Sequence, residues 1–126
     1  MYSNTGLNKV ILVGYVTREP RLHTYKETNQ QLLFALTTYE TIKSNSGEIE
    51  HTEIHHVKID ILNPSIKNIT LKKGDLVYLQ GKLQTTSFID EQHIKRYKTE
   101  IIGNSIELFN QLPEMEKQKH SSDFNV

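Results

Sequence analysis

Apolar and polar positions alternate along most of this chain with the two-residue period of β-strands. Residues 8–15, NKVILVGY, are rich in β-branched side chains and run into Gly14, which predicts a buried first strand. Pro20 marks a turn, and residues 21–25 are a candidate continuation of the sheet. Residues 31–41, QLLFALTTYET, predict a second strand. Leu32, Phe34 and Leu36 share one face of it; Leu33, Ala35, Thr37 and Tyr39 share the other. KSNSGE, at 43–48, reads as a polar loop around Gly47. Alternation resumes over 52–61 as a third strand. Residues 64–71 then fit a helical turn or two, with Ile66, Ile69 and Leu71 apolar. Lys72-Lys73-Gly74-Asp75 is a turn, and LVYLQGKL at 76–83 predicts a fourth strand. Residues 84–99 read as a long hairpin with its tip near 90–93, and 98–109 as the last strand.

This order predicts an all-β fold. It is a five-stranded Greek-key barrel with a short helix between strands 3 and 4 and a protruding hairpin between strands 4 and 5. The oligonucleotide/oligosaccharide-binding barrel, or OB-fold, has that order. Residues 1–112 form the domain, and 113–126 read as an aperiodic, disordered tail. No apolar run approaches the ~18 residues of a membrane span, and the N-terminus lacks a signal-peptide pattern. A cytoplasmic, nucleoid-associated protein is expected, with a processed organellar form left open. Without cysteine there is no disulfide, thiolate nucleophile or Cys-based zinc site. Fifteen basic residues balance fifteen acidic ones, so bulk basicity does not hold a polyanion. Any basic stripe must come from arrangement.

HTEIHHVKI, at 51–59, holds three of the six histidines. His51 and His55 would share a face in a helix, but Ile54, Val57, Ile59 and Ile61 mark a strand. There His55 points inward with Val57 and Ile59, and His56 points outward with Thr52, Ile54, Lys58 and Asp60. The histidines do not converge, and no second ligand cluster has metal spacing. Neither a metal nor a cofactor is expected. No phosphate loop or nucleophile elbow is present either. The outward face is more informative: Ile54 lies among hydrogen-bonding and cationic neighbours that suit a base and its phosphate. The hairpin adds Phe88 and then Lys95-Arg96-Tyr97-Lys98, pairing aromatic rings with charge. An ordinary amphipathic hairpin is the plain alternative.

Several segments together resemble one family. NKVILVG at 8–14 with Pro20, Thr52-Glu53-x-His55-x-Val57, Lys72-Lys73-Gly74 with Val77-Tyr78-Leu79-x-Gly81, and Arg96-Tyr97-x-Thr99-Glu100 are similar to bacterial and mitochondrial single-stranded DNA-binding proteins. They occur in that family's order over roughly residues 6–109. The resemblance implies an OB-fold homo-oligomer, usually a tetramer with a dimer as the smaller option, over which DNA wraps without being read. Carried over by position, the family's stacking aromatics fall near Ile42, at Ile54 and at Phe88, with a further one at Asp60. One ring is kept. Gln84, Thr86 and Ser87 stand where relatives often carry basic residues. Tyr39 and Tyr97 are candidate replacement rings.

The expected protein is therefore non-enzymatic and covers single-stranded DNA in replication, repair and recombination. Phe88, Ile54, Ile42 and Tyr97 would give stacking or apolar contact. Lys43, Lys58, Lys72, Lys73, Lys82, Lys95 and Arg96 would meet phosphates, and Thr52 and His56 would add hydrogen bonds. Family dimers pair through the first strand, which implies interface roles for Lys9, Val10 and Ile11, with Tyr78 and His55 beside them. Lost rings imply weaker binding than in Trp-bearing relatives, since each base–aromatic stack in such folds is worth about 1–3 kcal/mol. The tail ends SSDFNV, with one carboxylate, so recruitment of replication or repair enzymes by it is the weaker expectation. The alternatives are an interaction subunit of a replication-restart or plasmid-maintenance complex, an RNA-binding OB domain and, last, a hydrolase on the histidine strand.

Overall fold

The computed structural model describes residues 5–26 and 29–109. The predicted tail at 113–126 and the domain boundary at 112 lie outside the described residues. The elements are β1 (Val10–Val16), β2 (Arg21–Tyr25), β3 (Asn29–Ser44), β4 (Gly47–Asp60), α1 (Pro64–Lys67), β5 (Leu76–Ile89) and β6 (Lys95–Leu108). Five strands close a barrel in the order β1–β5–β6–β4–β3, with β3 returning to β1. All pairings are antiparallel except β4–β6, which is parallel at Val57–Ile101 and Lys58–Ile102. Among the described residues β2 pairs only with β3. It lies along the same strand as the end of β1, whose Tyr15 and Val16 pair with Thr37 and Leu36. The break between them holds Pro20, which has no N–H to give a ladder.

The inward faces meet in a core of Val16, Leu36, Ile59, Val77 and Leu79, all essentially inaccessible, with Phe34, Val57, Ile101 and Ile106 around them. α1 is a single turn, capped by Asn63, whose Oδ1 accepts from Ser65 N at 2.9 Å. It places buried Ile66 against the barrel. Gly14 sits where β1 crosses β3: a Cβ there would lie 2.6 Å from the Thr37 carbonyl oxygen. The barrel closes at this point only because that side chain is missing.

The barrel, helix and β5–β6 hairpin match expectation; the largest departures are at the β3–β4 connection and at the starts of β4 and β6. The polar segment 43–48 is not a loop. Pairing persists to Ser44–Gly47, so β3 and β4 form a second long arm. Gly47 adopts φ +125°, and Ser44 Oγ donates to its carbonyl at 3.0 Å, which lets the chain reverse tightly. β4 consequently starts at 47 rather than 52, and β6 at 95 rather than 98. On the β3–β4 arm the β-branched Thr41, Ile42 and Ile49 carry the ladder outward past the barrel.

Candidate nucleic-acid interface

Register decides which side chains meet. β4 presents Thr52, Ile54, His56 and Lys58 outward, opposite Tyr39, Thr37, Ala35 and Leu33 of β3. Ala35 and Thr37 are buried, because Thr17 closes over them with a 2.6 Å bond between the two threonine hydroxyls. Ile54 stays half exposed, and Tyr39 is 65% exposed. Tyr39 meets Tyr15 edge to face, with ring centroids 6.3 Å apart. Burial, and then the neighbouring Tyr39, pushes the Tyr15 phenol up. Of the two replacement rings expected, Tyr39 therefore shares the face of Ile54.

On the β5–β6 hairpin, Phe88 lies opposite Arg96, Thr86 opposite Lys98 and Lys82 opposite Ile102. These alternate with buried Ile101 and so face outward with Lys58. Phe88 is half exposed. Arg96 Nε donates to Asp90 Oδ2 at 2.8 Å. That bond, with the N–H groups of Ile94 and Gln92, holds the Asp90 carboxyl below the usual carboxylate range. Tyr97 and Lys95 lie on the other face of the hairpin, Tyr97 opposite Ser87, with the Lys95 ammonium 5.7 Å from the Tyr97 ring. The structure thus separates Tyr97 from Phe88.

Glu100 sits at the centre of the outer face, its side chain only 11% exposed. Lys58 Nζ lies 3.0 Å from one of its oxygens and Lys98 Nζ 3.5 Å from the other. Burial opposes its charge, yet the Lys58 hydrogen bond and charge, followed by those of Lys98, hold the carboxyl below the usual range. Lys58, predicted to meet phosphate, is thus engaged by a carboxylate first.

The remaining predicted residues lie elsewhere. Ile42 faces Ile49 on the side of the β3–β4 arm away from Ile54, and Lys43 sits further out, opposite Glu48. Lys72 and Lys73 form the exposed turn before β5; the Lys73 N–H donates to Glu19 at 3.2 Å, so this turn borders the β1–β2 break. The proposed interface residues divide. Ile11 and Tyr78 face outward beside exposed Val13, whereas partly buried Val10 packs on the core and Lys9 precedes β1, exposed. His55 is half buried, its Nε2 2.9 Å from the Thr38 hydroxyl. Residues 10–14 pair with β5 alone among the described residues, leaving their other edge open.

Sequence reasoning named Lys98 only as part of the hairpin's basic run, and it missed Arg18, Arg21, His23 and Tyr25. Two adjoining grooves on the outer face, of about 300 and 390 Å³, are lined by these residues together with Leu33, Lys58 and Glu100. The signal was the alternation in RLHTY, which puts Arg21, His23 and Tyr25 on one face; the β2–β3 register sets that face beside Lys58. Among the described residues no three His or carboxylate side chains converge as a metal site, and no helix is long and apolar enough to cross a membrane.

Known proteins share this barrel and sequence. The single-stranded DNA-binding protein of Neisseria meningitidis serogroup A is 32% identical over 104 residues, 82% of this chain and 60% of that protein. Single-stranded DNA-binding protein 1 of Chlorobaculum tepidum is 35% identical over 105 residues, covering 82% of this chain and 65% of its own. This chain spans less than two thirds of the length of either. Among solved structures, the Plasmodium falciparum SSB in complex with ssDNA superposes with a TM-score of 0.69 at 26% identity, over 85% of this chain and 97% of that one. A deletion mutant of the Thermus aquaticus single-stranded DNA binding protein shows the same fold, with a TM-score of 0.70 at 22% identity, over 82% of this chain and 51% of that one. The family profile itself covers residues 7–109, the whole barrel with both arms, and the chain belongs to the single-strand binding protein family.

Proposed function

We propose that this chain binds single-stranded DNA without reading its sequence, as a non-catalytic coat for strands exposed in replication, repair and recombination. One observation carries the reading. The barrel turns a single continuous face outward on which Phe88, Ile54 and Tyr39 lie among Lys58, Arg96 and Lys98. Rings and apolar groups take the bases, and ammonium and guanidinium groups take the phosphates. His56 and Thr52 add hydrogen-bonding groups between them. Lys82 and the Lys72–Lys73 turn extend the positive charge to either side. The relatives named above carry single-stranded DNA binding in their names, which supports the same ligand here.

Assembly through β1 is part of the proposal. Its open edge, with exposed Ile11 and Val13 beside Tyr78, offers a second copy both ladder partners and apolar area. A homotetramer is the expected form.

Fluorescence titration of oligo-dT at several salt concentrations tests the binding. Affinity should fall log-linearly with salt, as displaced counterions require. An absence of binding at low salt would refute the function. Competition by oligo-rU separates DNA from RNA preference, and light scattering with and without oligo-dT reads assembly.

A further inference from the structure

The outer face is polarised. Towards the β3–β4 arm, the positions following Ile54 and Thr52 on the same face are Glu50 and then Glu48, the latter opposite Lys43. On that face the arm carries Glu48 and Glu50 against Lys43, and Glu40 and Glu53 add negative charge on its other side. A phosphate backbone laid along this arm would meet net repulsion. Towards β2 the sign reverses. Arg18, Arg21, Lys58 and Lys98 line the two adjoining grooves, with Glu19 and Glu100 the acidic lining residues. Glu100 is already held by two lysines. Neither Arg18 nor Arg21 is in an ion pair among the described residues. Tyr25 and Leu33 lend the same groove a ring and an apolar floor.

We propose that a bound single strand leaves the β4 face across β2, through a subsite of Arg18, Arg21, His23 and Tyr25, and not along the β3–β4 arm. This rests on the single-strand reading above and specifies its path. The two guanidinium groups take successive phosphates at the mouth of the groove. Tyr25, half buried at the end of β2, stacks the base that follows. Lys58 and Lys98 bind phosphate at the junction, where the strand competes with Glu100 for them. Lys43 is left outside the path, its charge matched by Glu48 across the ladder.

Labelled oligo-dT titrated from about 50 mM to about 1 M salt gives the test. Each phosphate contact contributes about 0.7 to the single-strand salt slope, so Arg18→Ala/Arg21→Ala should flatten it by about 1.4. Over that twentyfold salt range this corresponds to an affinity loss of roughly sixtyfold at the low-salt end, vanishing at the high end. Tyr25→Ala should weaken binding about five- to 150-fold with the slope kept, as loss of a stack does. Lys43→Ala should leave affinity and slope within about twofold, whereas one lost contact would shift the low-salt affinity about eightfold. The arginines and Lys43 are exposed, and thermal midpoints confirm that the variants fold. Wild-type binding that survives both β2 variants with its slope intact would overturn the path while leaving the function standing. Loss of slope in Lys43→Ala would equally return the strand to the arm. Failure of the unaltered protein to bind would sink the single-strand reading itself.

Discussion

Replacing Glu100 by Gln should push stability and binding in opposite directions. The substitution keeps the shape and removes the charge that Lys58 and Lys98 share. Both partners of the Lys58 pair are well covered, with 22% and 11% of their side chains exposed, so their hydrogen bond belongs with the charge-assisted ones worth about 1.5–3 kcal/mol. A neutral amide retains part of that. The Lys98 limb, 61% exposed, adds at most ~1 kcal/mol. A net loss of about 1–2 kcal/mol follows, or a thermal midpoint lower by roughly 5–10 °C at fixed protein concentration. Because the folded Glu100 carboxyl titrates below its unfolded counterpart, its contribution is complete above the ordinary carboxylate range. It is lost as pH falls through the folded value, so the two proteins should converge in acid. Binding responds the other way. Freed of the competing carboxylate, Lys58 and Lys98 meet phosphate more fully, so low-salt affinity should rise and the salt slope steepen, by at most about 1.4. Thermal scans across pH, with oligo-dT titrations across salt, measure both. A variant that binds more weakly at low salt, or one as stable as the original at neutral pH, would refute the account of Glu100.

Phe88→Ala should cost binding about 1–3 kcal/mol in an oligo-dT titration, whereas Tyr97→Ala, on the opposite face of the hairpin, should cost less than about 0.5 kcal/mol; equal losses would show that face assignment does not select the stacking ring. Gly14→Ala should destabilise the barrel by about 1–3 kcal/mol in urea unfolding, because its Cβ meets the Thr37 backbone and no flexible side chain can yield. His55→Ala, which removes the partner of Thr38 beside the β1 edge, should shift the mass seen by light scattering towards smaller species; an unchanged mass would free His55 of any role in assembly.

The barrel was legible in the sequence because its determinants are local. Alternation in QLLFALTTYET and HTEIHHVKI gave the inward faces of β3 and β4, and both Leu36 and Ile59 are fully buried as that pattern requires. The β3–β4 arm was not legible. KSNSGE has the composition of a loop, and the ladder that runs through it, pairing Ile42 with Ile49, Lys43 with Glu48 and Ser44 with Gly47, is a relation between two strands that neither shows alone. The site divides in the same way. Thr52, Ile54, His56 and Lys58 share a face by arithmetic within one strand. Placing Tyr97 with Phe88 required the β5–β6 register, which pairs Phe88 with Arg96 and sends Tyr97 to the other side.

Charge was the least legible property, for a physical reason. A net charge of zero says nothing about its separation. Along the chain, Arg21 and Glu48 are simply distant residues of opposite sign. The long β3–β4 hairpin makes them the two ends of one surface: β3 begins beside β2, with Leu33 opposite Arg21, and ends beside Glu48, opposite Lys43. At about 3.4 Å per residue, the ten positions from Leu33 to Lys43 span about 34 Å, several times the ~8 Å over which salt screens exposed charges at physiological strength. The acidic end therefore does not cancel the basic groove at the other. A neutral chain of this design presents a phosphate backbone with a favourable field at β2 and an unfavourable one at the arm tip, and the gradient lies along the strand that carries Ala35, Thr37 and Tyr39 between them.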